Sequence, residues 1–152
     1  MLPLITNRKS QIKMTIAIIN GPNLNLLGKR EVDIYGHQPF DQFLEILKNK
    51  YPAVRFSYYQ SNIEGELINY IQEAGFTVDG IILNPAGYTH TSVALGDAVA
   101  AIKAPVVEVH ISNTAAREEF RQISHISAKC AGTIIGLGIK GYELAIEYFL
   151  SK

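Results

Sequence analysis

Short apolar runs rich in β-branched residues alternate along the chain with segments of helical periodicity, which narrows the possible folds to a few. The runs cover residues 16–19, 54–59, 80–83, 106–109 and 133–135. They show no regular polar alternation, as expected for strands buried on both faces of a sheet. Helical periodicity covers residues 40–50, 64–74, 92–102, 115–122 and 142–150. The pattern predicts an α/β fold, a flavodoxin-like doubly wound five-stranded parallel sheet with right-handed crossovers.

Length and charge limit the class of protein further. The chain has 152 residues, enough for one domain with a substantial core, and we predict a single α/β domain over residues 14–152. The 14 basic and 14 acidic residues give a formal net charge of zero, and no basic stripe is present, so we expect no nucleic-acid partner. The charged fraction of 18% is below the usual ~25% and favours self-association.

The cysteine content and hydropathy pattern indicate the compartment. Cys130 is the single cysteine, which excludes an internal disulfide framework and a cysteine-based zinc site. We therefore expect a reducing, cytoplasmic location. No apolar run approaches the ~20 residues that a membrane span requires, so we expect no membrane partner.

Residues 1–13, MLPLITNRKSQIK, precede the first predicted strand. Their apolar stretch is shorter than the ~7–15 residues of a signal peptide core, and the basic residues follow it instead of preceding it. We interpret this segment as a loose N-terminal extension, from an upstream start or a vector remnant. The alternative is an arm that docks on a neighbouring subunit.

Polar residues follow the predicted strands at the point where each strand ends. They fall at residues 20–23, 60–62, 84–91 and 110–113, and the last two groups contain His90 and His110. Ligands bind outside the carboxyl ends of the strands in an open parallel sheet, so we expect a site at this edge. Asn62 and Asn113 have a simpler interpretation as caps of the helices that follow them.

Two glycine-rich segments resemble nucleotide-binding motifs without completing them. Residues 136–141 fit G-x-G-x-x-G, but no strand or acidic residue follows at the required distance. We interpret these glycines as a tight turn that lets the last helix pack closely. Residues 21–29 have the wrong spacing for a phosphate loop. The four histidines lack metal-ligand spacing, so we predict neither metal nor cofactor. A non-enzymatic nucleotide- or phosphate-binding module remains the alternative function.

Several of these segments together resemble the type II dehydroquinase family. They include INGPNLNLLGKRE at residues 19–31, NPAGYTHTSVAL at 84–95 and VEVHISN at 107–113. Further matching segments cover residues 34–36, 60–62, 64–67, 117–121, 136–138 and 141–142. The resemblance implies dehydration of 3-dehydroquinate to 3-dehydroshikimate by anti elimination through an enolate, in the shikimate pathway to chorismate and the aromatic amino acids. It also implies a flavodoxin-like fold, no cofactor, and a dodecamer built from trimers.

Three positions depart from the family pattern. Ile63 stands where a polar residue or histidine is frequent, Gly96 where a longer side chain such as arginine is common, and Ala116 where a histidine is frequent. None is a central catalytic position. Gly96 adjoins Asp97, so the expected subunit contact near the substrate is the feature that this departure affects.

Dehydration of a β-hydroxy ketone needs a base for the α-proton, donors for the enolate oxygen and an acid for the leaving hydroxyl. Taken alone, Tyr35 would be an aromatic anchor and Arg30 a solvated charge. Because the surrounding segments resemble the type II dehydroquinase family, we interpret Tyr35 as the base. Ionising a tyrosine at pH 7 costs about 4 kcal/mol. A cation ~4 Å away at an effective dielectric constant of ~20 contributes about that much, and Arg30 is the predicted cation.

His110 is the predicted acid. Glu108 precedes it by two residues on the same face of the strand and is expected to orient it. Asn23 is expected to hold the enolate oxygen. Asn84, His90 and Arg121 are predicted to hold the carboxylate and ring hydroxyls of the substrate. The backbone N–H groups of Ile111 and Ser112, near a helix start, are predicted to bind the carboxylate. The resemblance also implies that Asp97 reaches the site of a neighbouring subunit.

Overall fold

A five-stranded parallel sheet runs through the middle of the computed structural model, which describes residues 11–152. The strands are β1 (Met14–Asn20), β2 (Val54–Gln60), β3 (Gly80–Asn84), β4 (Val106–His110) and β5 (Gly132–Ile135). Their order across the sheet is β2-β1-β3-β4-β5. This is the flavodoxin-like doubly wound order, and it confirms the predicted fold class.

Helices cover both faces of the sheet. They are α1 (Val32–Tyr35), α2 (Phe40–Lys50), α3 (Glu64–Ala74), α4 (Val93–Ala101) and α5 (Lys140–Leu150). Helices α2 and α5 contribute their buried residues to one core cluster, and α3 and α4 contribute theirs to the other. In α2 the buried side chains recur at helical spacing as Phe40, Phe43, Leu44 and Leu47, which is the stripe that lies against the sheet. Among the described residues, no helix is both long and apolar enough to cross a membrane.

The sequence prediction was wrong about one helix. Instead of a helix over residues 115–122, the structure has two 3₁₀ turns, Thr114–Ala116 and Glu119–Gln122. Arg117 lies between them with an extended backbone, φ −106° and ψ −160°. The segment lacks an apolar face that could be buried, since Phe120 remains 56% exposed. Without packing to stabilise it, so short a helix is not favoured.

The glycine turn before α5 agrees with its structural interpretation. Gly136 and Gly138 have φ values of +85° and +63°, a region that side-chain-bearing residues rarely adopt. A Cβ atom at Gly141 would lie 3.1 Å from Val109 Cγ1, so the small residue allows α5 to approach β4.

The predicted N-terminal extension falls mostly on residues 1–10, outside the described part of the chain. The backbone N–H of Lys13 donates to Ala53 O at 2.8 Å.

Candidate active site

A cavity opens at the carboxyl edge of the sheet, beyond the ends of β1, β3 and β4. The chain leaves β1 towards β2 on one side, while β3 lies on the other, and this topological switch creates a crevice. Most of the predicted site residues line the cavity: Asn23, Arg30, Tyr35, Asn84, His90, His110, Ile111, Ser112 and Arg121. Its remaining lining residues include Pro22, Leu24, Leu27, Ala86, Gly87, Thr114 and Arg117.

The turn after β1 brings Asn23 to the cavity. Gly21 lies so close to the next loop that a Cβ atom there would be 2.7 Å from Pro85 O. Asn23 adopts a left-handed conformation, φ 70°, which asparagine tolerates better than most residues. Its backbone N–H donates to Asn62 Oδ1 at 2.9 Å. The sequence position of Asn62 predicted a cap for α3. Asn62 instead stabilises this turn.

The Tyr35 hydroxyl contacts an arginine that the sequence analysis did not assign to the site. Arg117 Nη1 donates to Tyr35 Oη at 3.0 Å and to Ser112 Oγ at 3.1 Å. Tyr35 ends the short helix α1, and Arg117 lies between the two 3₁₀ turns that follow β4. Arg117 belongs to a segment that matches the family, seven residues beyond His110. A basic residue shortly after a polar strand end is the signal that could have identified it.

Arg30 occupies a different position relative to the same tyrosine. Its guanidinium carbon lies 5.5 Å from the centroid of the Tyr35 ring, and Nη2 lies 2.5 Å from Glu31 Oε2. The guanidinium therefore contacts the ring and a neighbouring carboxylate. The sequence analysis predicted Arg30 as the cation that stabilises ionised Tyr35. Arg117 is also placed to take this role.

His110 and Glu108 form a buried pair at the end of β4. His110 Nε2 lies 2.8 Å from Glu108 Oε1, in agreement with the shared strand face predicted from their spacing. Glu108 is fully buried beneath His110 and does not line the cavity. Burial raises the pKa of Glu108, but hydrogen bonds from His110, Ser127 and Thr89 and the charge of His110 outweigh burial. The net pKa lies below its usual value, so the carboxylate is ionised.

The second histidine, His90, faces His110 across a short distance. The two ring centroids are 6.4 Å apart. His90 Nδ1 lies 2.7 Å from the carbonyl oxygen of Ile123, so Nδ1 carries the proton and donates to it. Burial lowers the pKa of His90, which favours its neutral form. A neutral His90 with its proton on Nδ1 leaves Nε2 as a hydrogen-bond acceptor.

A buried hydrogen-bond network fixes the side-chain amide of Asn84. Asn84 Nδ2 donates to Tyr142 Oη at 2.9 Å, and Tyr142 Oη donates to Asn20 Oδ1 at 2.8 Å. Asn84 Oδ1 accepts from the backbone N–H of Ala86 at 3.1 Å. The amide is therefore held in one orientation at the edge of the cavity.

Two predicted binding features have surroundings that differ from expectation. Ile111 and Ser112 line the cavity, but the segment after them is a three-residue 3₁₀ turn and supplies no helix dipole. Asn113 does cap that turn, with its side chain accepting from Ala115 N at 3.2 Å. Asp97 lies outside the cavity, with its side chain 72% exposed and Oδ1 3.5 Å from Lys129 Nζ.

The chemistry available in the cavity is that of phenol, imidazole, amide and guanidinium groups. Residues 11–152 contain no group of three or more histidine, cysteine, aspartate or glutamate residues placed to hold a metal ion. The cavity lining also contains no lysine among these residues. A phenol that contacts two guanidinium groups, with a carboxylate-paired imidazole in the same cavity, suits proton transfer to and from a bound ligand.

Comparison with known proteins identifies the family. The sequence model described as Dehydroquinase class II matches residues 14–150. A 3-dehydroquinate dehydratase of Fusobacterium nucleatum is 52% identical over 143 residues, covering 90% of this chain and 97% of that protein. The type II dehydroquinase structure from Butyrivibrio crossotus superposes with a TM-score of 0.86 at 45% identity, covering 90% of this chain and 97% of that one. The structure from Propionibacterium acnes gives 0.87 at 39% identity, covering 93% and 99%. The chain belongs to the class II dehydroquinase family.

Proposed function

We propose that this chain dehydrates 3-dehydroquinate to 3-dehydroshikimate by anti elimination through an enolate. The observation that carries the proposal is the 3.0 Å contact between Arg117 and the Tyr35 hydroxyl, in the cavity that also holds the His110–Glu108 pair. Tyr35 supplies a base beside the Arg117 cation, and His110 supplies an acid that the Glu108 carboxylate holds in place. A phosphate-binding module on the same fold needs neither arrangement.

In the first step Tyr35, as the phenolate, takes the proton next to the ketone, and the electron pair of that C–H bond forms the enolate. The guanidinium groups of Arg117 and Arg30 both contact Tyr35, so their positive charges lie near the oxygen that takes the proton. Both guanidinium groups remain charged when substrate excludes water from the cavity. Asn23 holds the enolate oxygen, directly or through water, and so stabilises the charge that develops there.

In the second step the enolate electron pair returns to form the carbon–carbon double bond, and the leaving hydroxyl takes a proton from His110. Glu108, buried beneath the ring, stabilises the imidazolium and fixes its orientation. Water and a conjugated enone are the products. The proton left on Tyr35 returns through solvent to His110, so atoms and charge balance without an external reagent. This agrees with the proposal that the reaction needs no cofactor and no metal.

Substrate binding is assigned to the remaining lining residues. Asn84, His90 and Arg121 hold the carboxylate and ring hydroxyls, together with the backbone N–H groups of Ile111 and Ser112. The arginine and amide donors suit a carboxylate, while the fixed Asn84 orientation and the Nε2 acceptor of His90 suit hydroxyl groups.

We further propose that residues 14–152 form a single catalytic domain that assembles as a dodecamer built from trimers. The exposed position of Asp97, outside the cavity of its own subunit, supports its assignment to a neighbouring subunit's site. Exposed apolar side chains at Ile63, 60%, and Val93, 57%, offer surface for such contacts. We place the enzyme in the cytoplasm and in the shikimate pathway to chorismate and the aromatic amino acids, which fits a chain with a single, unpaired cysteine.

The test is to add 3-dehydroquinate to the purified protein and follow the absorbance of the conjugated enone. We expect turnover by the parent and a loss of at least ~100-fold in kcat for Tyr35→Phe, because only the ionisable oxygen is removed. Calorimetry should show that Tyr35→Phe still binds substrate. Tyr148→Phe, a matched change on α5 away from the cavity, should retain parental kcat. A well-folded parent that produces no absorbance change would refute the proposed activity.

A further inference from the structure

The two carboxylate oxygens of Glu108 are held by residues from different parts of the chain. Oε1 accepts from His110 Nε2 at 2.8 Å and from the Thr89 hydroxyl. Oε2 accepts from the Ser127 hydroxyl at 2.5 Å. Within residues 11–152, Ser127 is the single donor to Oε2. The orientation of the Glu108 carboxylate therefore depends on a side chain that lies outside the cavity lining.

The backbone around Ser127 is anchored on both sides. Ile126 is completely buried in the core between the sheet and helices α3 and α4. The backbone N–H of His125 donates to Thr89 O at 2.9 Å, and that of Ala131 donates to Val106 O at 2.7 Å. Because these contacts fix the segment against the loop after β3 and the start of β4, the position of the Ser127 hydroxyl is set by the fold.

A second serine directs the Ser127 proton. Ser124 Oγ lies 2.8 Å from Ser127 Oγ and accepts from the backbone N–H groups of Ile126 and Ser127 at 3.1 and 2.9 Å. Ser127 has one hydroxyl proton, and the ionised carboxylate is its stronger acceptor. The Ser124 hydroxyl then donates to Ser127 Oγ, which makes a chain of hydrogen bonds directed at Glu108.

We propose that Ser127 is a positioning residue that locks the Glu108 carboxylate and, through it, the His110 ring. The inference rests on the proposed role of His110 as the acid. The terminal torsion of a glutamate is broad, so a carboxylate fixed at one oxygen can still rotate. Fixing both oxygens removes that freedom. Displacements of the order of 1 Å in a proton donor are enough to reduce a rate by large factors.

The experiment is a double-mutant cycle between Ser127 and Glu108, read as kcat and KM for 3-dehydroquinate. Ser127→Ala should lower kcat about tenfold while KM changes less than twofold, since the substrate contacts remain. Ser127→Thr keeps the hydroxyl and should restore kcat to within about threefold of the parent. In a Glu108→Gln background, Ser127→Ala should change kcat less than twofold further, because the group through which it acts is already altered. Ser57→Ala on β2 serves as the matched control, because the Ser57 side chain makes no hydrogen bond within residues 11–152.

The outcomes separate this inference from the proposed function. A parent without dehydratase activity refutes the function itself. If the parent is active and Ser127→Ala keeps the parental kcat, the proposed function stands and only this inference is refuted. Equal losses from Ser127→Ala in the parent and Glu108→Gln backgrounds would also overturn it, as would equal losses from Ser127→Ala and Ser127→Thr with unchanged melting temperatures.

Discussion

At the scale of single residues, the two arginines near Tyr35 make different contacts. Arg117 bonds the hydroxyl, whereas Arg30 lies over the ring and pairs with Glu31. A charge next to the oxygen acts directly on the atom that ionises, and the interaction energy falls with distance. Arg117 is therefore expected to contribute at least as much as Arg30 to the phenolate form.

Arg117→Ala should reduce kcat by about 100-fold, a loss typical of removing one preorganised charge from an active site. The loss should appear in kcat more than in KM, because the removed charge acts on the Tyr35 oxygen that takes the proton. Arg30→Ala should show the same pattern with an equal or smaller loss. Arg55→Ala, an exposed arginine on β2, is the control. Parental kcat in Arg117→Ala, measured across the pH range, would contradict the assignment.

Gly96 illustrates how a departure from the family pattern can be explained by a local contact. A Cβ atom at this position would lie 2.3 Å from His125 O and 3.1 Å from Lys129 Nζ. Helix α4 and the segment before β5 are thus packed too closely here for a larger residue without a backbone shift. The nearby ammonium of Lys129 pairs with Asp97.

At the scale of elements, helix α5 is joined to two strand ends by one buried hydroxyl. Tyr142 is fully buried, and its hydroxyl connects Asn84 of β3 with Asn20 of β1. Asn20 also pairs in register with Asn84 across the sheet. Burial raises the pKa of Tyr142 far above its usual value, so this hydroxyl stays neutral and structural.

Tyr142→Phe should lower the free energy of unfolding by ~1–3 kcal/mol, because an amide donor and an amide acceptor lose their buried partner. The change can be measured as a shift in urea-induced unfolding. Tyr148 lies on the same helix, and its hydroxyl makes no hydrogen bond to any of the residues that the structure describes. Tyr148→Phe should therefore change the free energy of unfolding by no more than ~0.5 kcal/mol. Equal stability of Tyr142→Phe and the parent would show that the network does not contribute.

At the scale of the whole molecule, the proposed assembly places Asp97 in a neighbouring subunit's site. Light scattering should then report a large homo-oligomer, and a monomer at working concentration would contradict the assembly. Mixed oligomers of Asp97→Asn and Tyr35→Phe subunits should recover activity, because some sites combine an intact Tyr35 with an intact Asp97. Mixtures of Tyr35→Phe and His110→Ala should not, since both residues line one cavity.

The dehydration can also be achieved through a lysine Schiff base, and residues 11–152 place no lysine in the cavity lining. Lys29 lies in the loop beside Arg30. Borohydride with substrate should therefore leave the enzyme active and its mass unchanged. Chelator and dialysis should likewise leave kcat unchanged. A trapped lysine adduct, or activity restored by one metal, would overturn the mechanism.

The sequence by itself determined the order of strands and helices and most of the cavity lining, because hydrophobic periodicity is local and polar residues after parallel strands share one edge. It also determined the His110–Glu108 pair, since residues two apart on a strand lie on one face. Only the tertiary structure decided which arginine meets the Tyr35 hydroxyl, because that contact joins residues 82 positions apart. The same holds for Ser127 beneath Glu108, for Asn62 under the Asn23 turn, and for the 3₁₀ turns in place of a helix at residues 115–122. In each case long-range packing and side-chain contacts, which local periodicity does not encode, selected the conformation.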